Sequence, residues 1–225
     1  MVNVIGLGYI GLPTALMLAA HGVEVIGTDY NAALVDKLQA GIITFSEEGL
    51  SELFSQAVEQ GIKFSHDYQV ADTYIVSVPT PYDRVSKQID AQYVTTAVTE
   101  VLNICPPEAD IIIESTISPN TIDRFVRPLI AASEKKVNLA HAPERIIPGN
   151  MIYELIHNNR TIGADTPEVA ERIKRLYSSF CQGEIVTTDI RIAEMTKVIE
   201  NTYRAVNIAF ANELQHISHH NGIQN

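Results

Sequence analysis

The chain has 225 residues, 46% of them hydrophobic and 19% charged, with a formal net charge of -11. That length holds one large domain, or one domain and the start of another, and that apolar content is enough for a real core. The negative balance repels nucleic-acid phosphate and no basic face is dense enough to offset it, so an anionic ligand must be met by local donors.

No apolar run reaches the roughly 18 residues of a membrane span. The opening M-V-N-V-I-G enters a strand pattern without a basic leader, so the expectation is a cytoplasmic protein with neither membrane nor nucleic acid as partner. Cys105 and Cys181 make neither a disulfide framework nor a metal-spaced cluster and are read as inert thiols. His216, His219 and His220 sit in the last turns before Gly222, where a helix end favours histidine, and no metal is expected.

In chain order, V-N-V-I predicts a first strand, residues 10–21 a helix, V-E-V-I-G-T-D a second strand, and residues 32–39 a second helix. T-Y-I-V-S-V and D-I-I-I-E-S-T continue the series. A strand over 137–141, a short strand over 160–163, a helix over 167–179 and the strand E-I-V-T-T-D follow. Apolar runs alternating with helical patterns predict an α/β fold, a doubly wound Rossmann-type parallel sheet covered on both faces. The pattern from Arg191 to about His220 predicts one uninterrupted helix, longer than the usual 8 to 20 residues or so, leading into another domain.

G-L-G-Y-I-G, residues 6–11, follows the first strand and opens a helix, the context in which GxGxxG signals a dinucleotide site. Gly6 permits the tight turn, Gly8 lets the backbone approach a pyrophosphate, and Gly11 allows close packing of helix on strand. Tyr9 and Ile10 complete the turn, and the helix start offers amide donors and partial positive charge. Asp29, 23 residues after Gly6, is placed to accept from ribose hydroxyls and to repel a 2′-phosphate, which favours NAD over NADP. V-P-T-P fixes a loop past a strand's carboxyl end, where Thr80 is a candidate cofactor contact. Thr116 in E-S-T lies at the same edge. Lys197, Asn201 and Arg204, spaced i, i+4, i+7, place a cation, an amide and a guanidinium on one helical stripe. By itself that stripe also reads as a solvated face between apolar positions such as Met195, Ile199, Tyr203 and Phe210.

With V-P-T-P, E-S-T-I-S-P, A-P-E-R-I-I-P-G and E-M-T-K-V-I-E-N in this order, the chain resembles the UDP-glucose/GDP-mannose dehydrogenase family along essentially its whole length. Arg145 and Pro148 stand where UDP-glucose enzymes carry P-E-F and an acidic residue, so the resemblance is to the branch that acts on UDP-N-acetyl-D-mannosamine. The UDP-N-acetylglucosamine branch is the nearest rival. A β-hydroxyacid dehydrogenase would not explain V-P-T-P or P-E-R-I-I-P-G, and a noncatalytic NAD-binding, dimerising module is the alternative of another class.

The resemblance implies two-step, NAD-dependent oxidation of a sugar C6 alcohol to the carboxylate. It assigns Lys197 to the C6 oxygen, Asn201 to developing oxyanion character, and Glu144 to acid/base work in the later hydrolysis. Thr116 would position a water or the cofactor. Arg145, the backbone at Ile146, and Arg204 would hold the nucleotide sugar. An exposed lysine is a poor base at neutral pH, so Lys197 needs burial or a neighbouring cation. Leu34 replaces a lysine that some relatives place beside the adenosine, which points to weaker cofactor affinity.

The family's cysteine in a G-x-G-G-H-C motif, which carries the second oxidation, has no counterpart in these residues. The expectation is therefore an amino-terminal piece. Residues 1–188 would form the NAD-binding domain and residues 189–225 the long helix that opens a central domain, with a carboxyl-terminal UDP-binding domain absent. Family members form homodimers through that helix, and the same pairing is expected here.

Overall fold

The computed structural model describes residues 1–85, 87–147 and 149–223. Pro148 lies outside the described residues. In chain order the elements are β1 (Val2–Ile5), α1 (Gly11–Ala20), β2 (Val25–Thr28), α2 (Ala32–Gln39), α3 (Leu50–Glu59), β3 (Lys63–Ser65) and β4 (Thr73–Val76). A small hairpin, β5 (Tyr82–Asp83) and β6 (Gln88–Ile89), precedes α4 (Gln92–Ile104) and β7 (Asp110–Ile113). A π-helical turn (Ile122–Val126) runs into α5 (Arg127–Ser133), then β8 (Asn138–His141), α6 (Met151–His157), β9 (Arg160–Ala164), α7 (Pro167–Tyr177), β10 (Ile185–Thr188) and α8 (Ile190–His220).

Local chemistry explains where these elements begin. Thr166 caps α7 by accepting from Val169 N–H, Pro167 supplies the preset φ of a first turn, Glu168 sits at the positive end, and Lys174 and Arg175 sit at the negative end. In β7 the alternation of a pleated strand sends Ile112 to one face and Ile111 and Ile113 to the other. The first face is covered by α1, α3 and α7, with Val4, Leu16, Ile75 and Ile173 in its core. The second, covered by α4 and α5, buries Tyr74, Val76, Val98 and Leu139.

The eight-stranded sheet has the order β10-β9-β8-β7-β4-β1-β2-β3. From β3 to β8 every pairing is parallel, which gives the doubly wound architecture expected. The expectation of a wholly parallel sheet needs one correction: β9 pairs antiparallel with β8, and β10 runs parallel to β9. The reversal decides where the last helix starts. Register places Thr188, the last residue of β10, level with Gly163 and His141 at the carboxyl end of β8, so α8 starts beside that edge. Gly163 lets it pass close, since a Cβ there would lie 2.6 Å from both Asp189 O and Ile190 Cα.

The order also fixes the crevice. β1 stands between β2, reached in one direction, and β4, reached in the other, so the loops after β1 and β4 part above the carboxyl edge. Such a switch point is where open α/β sheets bind ligands.

Candidate functional site

The glycine turn is closed by its own backbone. Gly6 has φ of +90°, and a Cβ there would lie 2.4 Å from Ser77 O. At Gly11, the first residue of α1, a Cβ would lie 1.8 Å from Gly6 O, just past β1, and 3.0 Å from Ser77 Cβ, just past β4, so the close approach of helix to strand ends requires glycine there. Nothing lies within 4 Å of a Cβ built on Gly8, which faces open space. The start of α1 has Ile10 at its cap position and no side chain on its first amides. An uncapped helix start over a bare backbone suits an anion supplied by a ligand.

Above this turn lies a cavity of about 790 Å³. Gly6, Gly8, Tyr9 and Ile10 form one wall and Asp29 one end, with Thr80, Thr116 and Glu144 toward the other. The Asp29 carboxylate accepts from Leu7 N–H at 2.8 Å and from Asn31 N–H at 2.9 Å, so it also ties the glycine turn to the end of β2. Thr80 donates its hydroxyl to the Thr116 carbonyl at 2.7 Å. Its oxygen thus joins the two loops that frame the crevice. Leu34 lines the same cavity and brings no charge there. A dinucleotide fits this donor set: an uncapped helix start for its phosphates, a carboxylate for its ribose, and an elongated crevice between them.

A second cavity, about 780 Å³, lies along α8 and is lined by Arg145, Asn158, Lys197, Asn201 and Arg204 among others. Lys197 and Glu144 stand between the two. Only 6% of Lys197 is exposed; its amine donates to the Glu144 carbonyl and lies 3.4 Å from the Glu144 carboxylate. The neighbour is therefore an acid, and the burial that the sequence reading required is met while a neighbouring cation is not. The other Glu144 oxygen accepts from Ile146 N–H at 2.5 Å. Arg145 reaches Thr161 Oγ1 at 2.8 Å and Glu200 Oε1 at 2.7 Å. Asn201 and Arg204 are exposed to the second cavity, so only the lysine of the expected stripe is buried. The stripe reading is inverted in another way: Met195, Ile199, Tyr203 and Phe210, the apolar positions that reading placed inward, face outward at 46%, 58%, 72% and 63% exposure.

Four residues of this edge escaped the sequence reading. Glu47 accepts from the Tyr9 hydroxyl and, at 3.1 Å, from Gly149 N–H, bridging the glycine turn to the segment after Glu144. Burial beside Glu47 pushes the Tyr9 phenol up to about 12. Glu194, 1% exposed, accepts from Asn120 N–H at 2.7 Å and Ile122 N–H at 2.9 Å. Glu114 is fully buried against Arg160. His141, also fully buried, contacts the Ile113 carbonyl through Nδ1 at 2.8 Å, and burial holds it down to about 4. The only sequence signal for these was a charge placed at the end of an apolar run, as in D-I-I-I-E. The thiols of Cys105 and Cys181 are buried and unpaired with each other. Among the described residues no helix is long and apolar enough to cross a membrane.

Residues 1–181 match the UDP-glucose/GDP-mannose dehydrogenase family, NAD binding domain, and residues 191–225 match that family's central domain. The UDP-N-acetyl-D-mannosamine dehydrogenase of Methanococcus maripaludis is 42% identical over 224 residues, covering 98% of this chain and 52% of its own length. Among solved structures, the UDP-N-acetyl-mannosamine dehydrogenase of Staphylococcus aureus superposes with a TM-score of 0.88 at 45% identity, covering 96% of this chain and 54% of its own. That of Pyrococcus horikoshii superposes with a TM-score of 0.90 at 34% identity, covering 99% and 55%. The chain thus spans about half the length of the relatives it matches.

Proposed function

The chain belongs to the UDP-glucose/GDP-mannose dehydrogenase family, and we propose that it supplies the cofactor-binding half of the NAD-dependent oxidation of UDP-N-acetyl-D-mannosamine to its uronate. The observation that carries this reading is the Lys197–Glu144 contact, set between a cavity suited to a dinucleotide and one lined by Arg145, Asn201 and Arg204.

Bound NAD supplies the hydride acceptor. The chain's own groups do the rest. Lys197 brings a positive charge and an exchangeable proton to the C6 oxygen, where it stabilises alkoxide character as the hydroxyl proton passes to solvent water. Asn201, one turn along α8, donates a hydrogen bond to the same oxygen. Glu144 holds the lysine amine in place and, with one oxygen on Ile146 N–H, is oriented for proton transfer to or from water. Thr116 positions the cofactor or a water at the cavity's inner end. Arg145 and Arg204 grip the diphosphate or the acetamido oxygen through their planar forks. The outward apolar face of α8 serves as the surface through which two copies pair.

Calorimetric titration tests the reading. NAD binds the purified chain, and UDP-N-acetyl-D-mannosamine binds along the cavity lined by Arg145, Asn201 and Arg204. A chain that binds neither refutes the reading, and NAD binding with no response to the sugar nucleotide reduces it to a cofactor domain alone.

A further inference from the structure

One buried acid at the carboxyl edge has no part in the oxidation just described. Glu114 follows β7 directly, beside Ser115 and Thr116, and is 0% exposed. Its Oε1 accepts from Arg160 at 3.1 Å, from the Tyr177 hydroxyl at 3.2 Å and from the Thr14 hydroxyl at 3.3 Å. Its Oε2 is buried too and has no hydrogen-bond partner among the described residues. A carboxylate oxygen buried without a donor is costly, and its retention in a closely packed wall calls for a reason.

The ion pair is oriented. Glu114 lies against the cofactor cavity. Arg160 lies behind it, 4.1 Å over the Tyr177 ring and donating to the Ala142 carbonyl at 3.3 Å. The pair therefore turns its negative end toward the cavity. Because none of Glu114 is exposed, the carboxylate sits beneath the cavity floor and acts through space, where the surrounding protein screens it less than water would. Burial and the nearby Glu144 carboxylate push the Glu114 carboxyl up, while the Arg160 guanidinium and the Thr14 hydroxyl draw it down.

Which end of a dinucleotide lies above it follows from the sheet. Asp29 marks the adenosine ribose at the end of β2 and the glycine turn marks the phosphates after β1, so the nicotinamide half extends over β4 and β7. Glu114 ends β7. The oxidised nicotinamide ring is a cation and the reduced ring is neutral.

We propose that Glu114 is a buried counter-charge that makes this site prefer oxidised NAD to reduced NADH, speeding exchange of the reduced cofactor between successive oxidations. The proposal rests on the cofactor reading above. Glu114 is a positioning residue in this role, since it touches neither cofactor nor sugar.

The test is titration of the whole chain with NAD, NADH and ADP-ribose, in the wild type and in Glu114→Gln. The wild type binds NAD more tightly than NADH. Glu114→Gln weakens NAD about fivefold and leaves NADH and ADP-ribose within about twofold, the scale of a screened charge–charge effect. Equal weakening of all three ligands, or of none, overturns the proposal, since a packing role beneath α1 does not distinguish ring charge. If Glu114→Gln fails to fold, Glu114→Gln combined with Arg160→Gln removes both charges of the pair, and the same selective loss is expected. A wild type that binds NAD and NADH equally overturns this proposal alone; a wild type that binds none of the three overturns the cofactor reading beneath it.

Discussion

Lys197 and Glu144, 53 positions apart in the chain, meet through the lysine amine and both the carbonyl and the carboxylate of the glutamate. The meeting depends on strand direction. β9 and β10 run against β8, so β10 ends level with His141 and α8, starting there, brings Lys197 to the crevice two turns later. The helix is held in register by Gly163 at its foot and by Glu194, one turn before the lysine.

Removing the cation leaves a carboxylate that is 11% exposed without its partner. Lys197→Met is expected to lower stability by about 3 kcal/mol, the order found when one member of a buried pair is lost. Adding Glu144→Gln restores part of it. Urea unfolding of the single and double variants checks this, and additive losses would show that the two side chains do not interact.

The glycine turn separates folding from binding. Gly11→Ala drives a Cβ to 1.8 Å from Gly6 O and should unfold the turn, lowering the thermal midpoint and NAD affinity together. Gly8→Ala meets nothing within the chain, so its midpoint should match the wild type while NAD affinity falls about tenfold or more as the methyl group blocks the phosphates. Melting curves read beside calorimetry distinguish the two. A Gly8 variant that binds normally would place the phosphates elsewhere.

Acid should destabilise the fold through His141. Its imidazole is held down to about 4, first by burial and further by the Lys197 charge. The unfolded chain therefore takes up a proton at higher pH than the native one does. The stability this buried neutral group contributes, about 3 kcal/mol, is present above about pH 6.5 and is lost as pH falls toward 4. The raised Glu114 and Glu194 carboxyls act with the opposite sign, giving stability that is lost as pH rises, so the difference between wild type and His141→Asn isolates the histidine. Denaturation at pH near 7.5 and near 5 should show a steeper fall for the wild type.

Glu194 holds α8 to the segment that follows Thr116. Glu194→Ala strands the amides of Asn120 and Ile122 and should cost about 2 kcal/mol or more. Hydrogen exchange at those two amides should accelerate ahead of the core strands, and unchanged protection would mean that other groups hold the segment.

Much of the cofactor end was legible because few residues can replace those that build it. Gly6 needs a positive φ, Gly11 has no room for a Cβ, and the acid at Asp29 closes a strand. The direction of β9 and β10 was not legible, because R-T-I-G-A reads alike in either sense: alternation and branching carry no polarity. The burial of Lys197 was hidden for a related reason. Its partner, Glu144, is remote in sequence, and the apolar residues around it on α8 face outward, against the usual rule for a helix on a sheet. Glu47, Glu114 and Glu194 were not singled out because what distinguishes each of them is a partner distant in sequence, a backbone amide or a guanidinium.

In the proposed complex a dinucleotide lies along the carboxyl edge from Asp29 to Thr116, its reactive end beside Lys197 and Glu144. A crystal structure of the chain with NAD tests this directly. We expect the pyrophosphate over Gly8 and the start of α1, with the nicotinamide ring in the part of the cavity bounded by Thr116 and Glu144. A ring lying past Asp29, on the side away from Lys197, would contradict it.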